Sequence, residues 1–221
     1  MIRAILFDLD GTLLDRDASI KHFVTKQYDR LSSRLNKTNQ NEYICKFLEL
    51  DCRGYVWKDK VYQSIVSIFE LKTISWQELL DDYETEFIHS CIPFLNLLET
   101  LDILMREGYL LGIITNGLGT FQRRTIQGLG IEKYFQTILI SELEKVRKPE
   151  AEIFLRALRN LGVTPNESVF IGDHPDTDVM GAKRIGMKSI WNRDLGWQEP
   201  ENSDGIIDDL GELPMIIQRL S

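Results

Sequence analysis

Two hydrophobic periodicities divide this chain. Between residues 15 and 90 apolar side chains recur at helical spacing, and no segment alternates in the manner of a strand. Ile20, Phe23, Val24, Tyr28, Leu31 and Leu35 make one stripe, and Ile44, Phe47 and Leu48 begin a second. Val61, Tyr62, Ile65, Ile68 and Phe69 make a third. Ser75-Trp76-Gln77-Glu78 has the form of a capping box and opens a fourth, with Leu79, Leu80, Tyr83 and Phe87 on one side. The polar stretch 36–42 predicts a loop between the first two helices.

The rest of the chain follows a different rule. An apolar run over residues 2–7, broken by Arg3, predicts a buried strand at the start. From Leu95 onward helices and short apolar strands alternate. A helix carrying Leu97, Leu98, Leu101, Leu104 and Met105 stops at Gly108, and a strand over 109–115 follows at once. Next come a helix at 121–129, a strand at 137–140, a helix at 150–161 and a strand at 169–172. A helix at 178–185, strands at 188–191 and 205–207, and a last helix from about residue 213 complete the series. Such alternation predicts an α/β class protein: a doubly wound, Rossmann-like parallel sheet covered by helices on both faces. The expected division is a core of residues 1–14 and 93–221 with an α-helical insert over 15–92. Hinges are expected near 14–16 and 92–94, where Pro93 makes a stiff joint.

Composition narrows the function classes. Hydrophobic residues at 43% and charged residues at 27% describe a globular chain rather than a disordered one. A net charge of −8 without a basic stripe argues against a nucleic-acid polymer as partner, because no array of cations is present to displace phosphate counterions. It leaves open a small phosphorylated molecule, which local cations can hold. No apolar run reaches membrane-spanning length and the N-terminus leads straight into a strand, so the expectation is a cytoplasmic protein without a membrane partner, monomer or homodimer. Cys45, Cys52 and Cys91 are odd in number and form no CxxC, so reduced, structural thiols are expected.

The candidate chemistry lies at strand ends, where open α/β sheets bind ligands. Asp8-Leu9-Asp10-Gly11-Thr12 follows the first strand. Residues two apart on an extended backbone share a side, so Asp8 and Asp10 face together while Leu9 turns away. Gly11 permits a sharp bend, and Thr12 puts a hydroxyl beyond it. The bland alternative is an acidic turn closing a hairpin. A second strand ends in Thr115-Asn116-Gly117, a hydroxyl and an amide suited to an anion. A third ends in Gly172-Asp173, with Asp176 and Asp178 close behind. Lys148-Pro149 precedes a helical pattern, and proline suits a first helical turn with the lysine just outside. Carboxylates converging on one spot repel unless a cation sits among them. Mg²⁺ suits an all-oxygen set, whereas zinc is disfavoured because neither Cys nor His clusters there.

With DxDGT, hydrophobic-Thr-Asn, Lys-Pro and Gly-Asp-x4-Asp in this order across nearly the whole chain, the protein resembles the haloacid dehalogenase-like hydrolase superfamily. The resemblance implies an aspartyl-phosphate on Asp8, with Asp10 protonating the leaving oxygen and then deprotonating water. It implies that Thr115, the Asn116 region and Lys148 hold the phosphoryl oxygens. It also implies that Asp8, the Asp10 main-chain carbonyl and Asp173 bind Mg²⁺, with Asp178 and Thr12 in support. The insert resembles a C1-type helical cap. The family's 2-haloacid dehalogenases lack the second aspartate and need no metal, since a halide leaves without a proton while an alkoxide needs a general acid. Asp10 therefore favours a phosphatase acting on a small phosphorylated metabolite, such as a nucleotide or sugar phosphate. A phosphonate-cleaving relative would require a Schiff-base lysine in the cap, for which Lys58 and Lys60 are available. A non-catalytic phospholigand sensor would have lost Asp8, Asp10 or Lys148, and none is lost.

Thr115-Asn116-Gly117 with Gln122 downstream is similar to a subfamily of nucleoside 5′-monophosphatases and N-acylneuraminate 9-phosphatases, although that subfamily's lysine three residues after the glutamine is Thr125 here. His174, beside Asp173, is expected to be a loop histidine orienting its neighbours, with substrate or metal contact as the alternative. Arg53, Tyr55, Trp57, Lys58 and Lys60 mix rings with positive charge; a sugar or base phosphate grip competes with a solvated helix–loop junction holding a half-buried tryptophan. Trp191, Asn192, Arg193 and Trp197 read as a strand end and packing loop. Asp208, Asp209 and Glu212 read as a helix N-terminus, where negative charge is favoured.

Overall fold

The computed structural model describes residues 1–35 and 38–220 and divides into two compact units, Met1–Asp15 with Pro93–Ser221, and Arg16–Ile92. In the first unit six parallel strands form one sheet: β1 (Ala4–Phe7), β2 (Leu110–Thr115), β3 (Thr137–Ile140), β4 (Ser168–Gly172), β5 (Lys188–Asn192) and β6 (Gly205–Ile207). Their order is β3-β2-β1-β4-β5-β6. The chain moves outward from β1 through β2 to β3, then crosses back to β4 on the other side of β1. That reversal opens a crevice beyond the carboxyl ends of β1 and β4, the place where sheets of this kind take ligands.

All four residues of β1 and all five of β4 are buried, as a parallel strand covered on both faces must be. Ala4, Leu6, Ile114 and Phe170 pack with Ile153, Phe154, Ala157, Leu158 and Leu161 of a helix at Ala151–Leu161 and with Ala182. The alternate residues Ile5, Phe7, Val169 and Ile171 point to the opposite face and are equally buried. Phe7 meets Phe135 edge to face there, with ring centroids 6.2 Å apart.

Numbered in chain order, the helices of the second unit are α1 (Arg16–Leu31), α2 (Gln40–Asp51), α3 (Lys58–Ile68) and α4 (Trp76–Glu86). Those of the first unit are α5 (Leu97–Arg106), α6 (Gly119–Leu129), α7 (Ser141–Glu144), α8 (Ala151–Leu161), α9 (Gly181–Lys183) and α10 (Leu213–Leu220). The capping box at Ser75 and Glu78 forms as expected, and Asp209 caps a short 3₁₀ turn at Leu210–Glu212. The second unit is knitted by a buried glutamine. Gln27 donates to the Leu79 carbonyl and to Asp82, and accepts from the Tyr43 and Tyr62 hydroxyls. Asp51, also buried, binds Arg16 at 2.7 Å and Lys58, joining α1, α2 and the start of α3. Among the described residues no helix is long and apolar enough to cross a membrane.

Several expectations need correction. The loop over 36–42 ends at Asn39, whose side chain accepts from Glu42 N and starts α2 at Gln40; Asn36 and Lys37 lie outside the described residues. Pro149 is not in a first helical turn. It follows a cis peptide from Lys148 and lies in a turn, and α8 starts at Ala151 behind the cap residue Glu150. The helix expected at 178–185 begins earlier, as a π-helical turn over Pro175–Met180 that passes into α9. Trp57 is 66% exposed rather than half-buried, while Lys58 beside it is tied to Asp51. The three thiols are free, but Cys45 and Cys52 are exposed and so not part of a core.

Candidate active site

Parallel register brings the predicted segments to one edge of the sheet. Phe7, the last residue of β1, is level with Ile113 of β2 and Ile171 of β4, and Asp8 extends the ladder by donating its N–H to the Ile171 carbonyl. The ends of β2 and β4 therefore flank Asp8, with Thr115 on one side and Asp173 on the other. Carboxylate oxygens of Asp8, Asp173 and Asp178 all lie within 4.8 Å of one another. The Lys148 ammonium enters from the turn before α8, binding Asp8 Oδ1 and, at 2.8 Å, Asp178 Oδ1. Asp8, Lys148 and Asp178 are all buried. The ammonium also stands 5.3 Å from the centroid of the Phe170 ring, an attractive contact for a cation.

Local backbone geometry accounts for the spacing of the motif. A Cβ on Gly172 would lie 2.4 Å from the Asp178 side chain, so only glycine lets the π-helical turn fold its carboxylate back against the strand end. The turn is held by His174, whose Nδ1 accepts from Asp176 N and Thr177 N, while His174 N donates to Asp178 Oδ2 at 3.1 Å. π-Helical turns widen a helix by one residue and occur often at functional sites. At Gly11, with φ +86°, a Cβ would lie 2.6 Å from Asp173 Oδ2, so the bend after Asp10 and the Asp173 carboxylate share one space.

Asn116 holds the lysine loop. Its Nδ2 donates to the Lys148 carbonyl and its Oδ1 accepts from Lys148 N, both at 3.0 Å. The side chain is thus engaged on the main chain of Lys148 rather than turned toward an anion. Asp10 is half-buried, and its Oδ2 accepts from Gln122 Nε2 at 2.6 Å. The same nitrogen donates to Thr115 Oγ1 at 2.7 Å. Thr12 is fully buried and its hydroxyl has no hydrogen-bond partner among the described residues.

Charge in so small a volume has clear consequences. Burial raises the Asp8 carboxyl, Lys148 opposes that, and Asp178 and Asp10 add to it, leaving Asp8 at about 7. Burial, followed by repulsion from Asp8 and Asp178, pushes Asp173 up to about 9. For Lys148, burial acts to lower the ammonium's value, but Asp178 and Asp8 outweigh it and hold the group above its ordinary range. Carboxyls raised by burial and mutual repulsion in this way are the kind that a hard cation placed among them would draw into ionised form. A hard divalent ion fits this donor set, with Asp8 and Asp173 the better placed ligands, since both Asp178 oxygens are hydrogen-bonded to Lys148 and His174 N.

Three contributors were not assigned a role from sequence. In the sequence Gln122 stands only as part of a subfamily pattern. Trp191 and Asn192, read as packing residues, end β5 and brace the two aspartate loops. Trp191 Nε1 donates to the Asp173 carbonyl at 2.6 Å, and Asn192 Nδ2 to the Gly11 carbonyl at 2.9 Å. Their place at a strand's carboxyl end was the available signal.

Comparison with known proteins agrees with this architecture. Residues 5–192 match the family described as haloacid dehalogenase-like hydrolase. The chain is 42% identical to glyceraldehyde 3-phosphate phosphatase of Pyrococcus abyssi, across 86% of this chain and 81% of the relative. It is 25% identical to N-acylneuraminate-9-phosphatase of Mus musculus, across 99% and 95%. Among solved structures, a HAD phosphatase from Thermococcus onnurineus superposes with a TM-score of 0.68 at 31% identity, across 98% of each chain.

Proposed function

The chain belongs to the haloacid dehalogenase-like hydrolase family and is a hydrolase of phosphate esters, and from that premise we propose a Mg²⁺-dependent phosphatase of small phosphorylated metabolites that works through an aspartyl-phosphate on Asp8. The observation that carries this reading is the joining of Asp8 to Lys148 within reach of Asp173 and Asp178. A carboxylate attacking a phosphate dianion meets like charge, and only neighbouring positive charge lets the two approach.

In the first half-reaction Asp8 Oδ2 attacks phosphorus, because Oδ1 is held by Lys148. The ester P–O bond breaks, and Asp10 gives its proton to the departing oxygen. In the second, Asp10 takes a proton from water, the water oxygen bonds to phosphorus, and the Asp8 carboxylate is released. The Lys148 ammonium, the Thr115 hydroxyl and the main-chain N–H near Asn116 hold the equatorial oxygens; the Asn116 side chain keeps Lys148 in place. Mg²⁺ held by Asp8, the Asp10 main-chain carbonyl and Asp173 would offset the charge of nucleophile and phosphate. Asp178 orients Lys148, and Thr12 supports the turn after Asp10. The Arg16–Ile92 unit would serve as a cap that excludes water and contacts the leaving group, hinged at its two junctions.

The substrate class follows the named activities of the relatives, which are phosphatases of glyceraldehyde 3-phosphate and of an acylneuraminate 9-phosphate. Dehalogenation is disfavoured because Asp10 stands beside the nucleophile, where a departing halide has no use for a proton donor. The test is a panel of phosphorylated metabolites with purified protein. EDTA-treated protein is expected to fall to background, and added Mg²⁺ to restore turnover of at least one ester. Turnover indifferent to chelation excludes the metal-dependent route.

A further inference from the structure

We propose that Gln122 is a positioning residue which, through one amide nitrogen, sets both the proton-transfer group and a phosphate-holding hydroxyl. The inference deepens the phosphatase reading above and rests on it. Gln122 lies in the first turn of α6 and is 2% exposed. Its side chain folds back over the end of β2, and Gly117 makes the room. With φ +155°, Gly117 adopts a conformation rare for other residues, and a Cβ there would sit 2.9 Å from Gln122 Cγ and 3.1 Å from Nε2. The glycine and the glutamine five residues later thus form one device.

An amide nitrogen carries two hydrogens. One goes to Asp10 Oδ2 at 2.6 Å and the other to Thr115 Oγ1 at 2.7 Å, with the Asn116 carbonyl a longer, secondary acceptor at 3.4 Å. Each bond fixes a proton elsewhere. In a neutral carboxyl group the unprotonated, carbonyl-type oxygen is the stronger acceptor, so the N–H on Oδ2 places the proton to be transferred on Asp10 Oδ1. In aspartyl-phosphate formation it moves from Oδ1 to the departing ester oxygen as the Asp8–phosphorus bond forms and the ester bond breaks. On hydrolysis a water proton returns to Oδ1. The Thr115 hydroxyl, acting as acceptor toward Gln122, keeps its single hydrogen free to donate to a phosphoryl oxygen. A neutral amide suits this place, because Asp10 alternates between charged and uncharged forms and a lysine would hold it ionised.

The test separates proton transfer from packing. Gln122→Met keeps length and volume but has no hydrogen to donate. Aspartyl-phosphate formation, read as kcat/KM, is to be compared for p-nitrophenyl phosphate, whose phenolate leaves unaided, and for an alkyl monoester turned over by the wild type, whose alkoxide needs a proton. The expected loss is on the order of 10²-fold for the alkyl ester and below about tenfold for the aryl ester, following the usual size of general-acid contributions. Equal losses on both esters, or an unchanged alkyl ester rate, would overturn the inference and leave Gln122 a packing residue. Should Gln122→Met fail to fold by circular dichroism, Gln122→Leu is read in the same way. A wild type inactive on every ester removes the phosphatase reading instead, so the two failures are distinct.

Discussion

Replacing Asp8 with asparagine is expected to abolish turnover of p-nitrophenyl phosphate, by about 10⁵-fold or more if Asp8 acts as the nucleophile of a coupled group, while leaving the fold intact. The amide has the shape of the carboxyl but cannot form the bond to phosphorus. Structural damage is not expected, because Lys148 keeps Asp178 as its partner at 2.8 Å and the Asp8 N–H to Ile171 bond is main chain. The buried ammonium is therefore not stranded, which would otherwise be a severe cost. Circular dichroism should be unchanged. Acid quenching during turnover should trap covalent phosphate on the wild type and none on the variant. A variant that retained substantial activity, or that trapped phosphate as the wild type does, would transfer the nucleophile's role to another group.

How much of this site could be read in advance follows from the range of each signal. Strand ends are local: an apolar run, then Asp8, Thr115 or Asp173, is complete within a few residues, and a parallel sheet brings such ends together whatever lies between. All six strands accordingly fall where the apolar runs place them. The hydrophobic period predicts a later α-helix in place of the π-helical turn at Pro175–Met180, because the period reports side chains while the turn is set by His174 accepting two main-chain N–H groups. Gln122, Trp191 and Asn192 act on groups distant in sequence, 112 residues away for Gln122 on Asp10 and 181 for Asn192 on Gly11. No local pattern encodes such a partner. The same holds for Gln27, a polar residue at the centre of an otherwise apolar bundle, whose four partners come from three other helices.

Asp173→Asn should give the opposite of the usual result for a buried substitution: a more stable metal-free protein that is inactive. Asp173 has its carboxyl raised to about 9 by burial and by Asp8 and Asp178, and Asp8 is raised to about 7. In the unfolded chain both ionise near the ordinary carboxyl value of 3.8. Between about pH 4 and pH 9 the folded state thus binds more protons than the unfolded state, and stability must fall as pH rises across that window. Asparagine removes one such group while keeping its shape, which the tight approach to Gly11 requires, and leaves the Asp173 main-chain carbonyl free to accept from Trp191. At pH 8 without metal the variant should gain at least about 1 kcal/mol, roughly 2–4 °C in Tm for a chain of this size. At pH 5 the gain should shrink, because the proton that the wild-type carboxyl takes up on folding costs less as the pH nears the unfolded value of 3.8. Millimolar Mg²⁺ should reverse the order at pH 8, because binding stabilises only the protein that retains the ligand. Thermal melts at both pH values, with EDTA and with Mg²⁺, give the four readings required. A variant less stable than wild type under EDTA at pH 8, or one stabilised by Mg²⁺ as much as wild type, would remove Asp173 from the cation site and with it the electrostatic basis on which a phosphate dianion can approach Asp8.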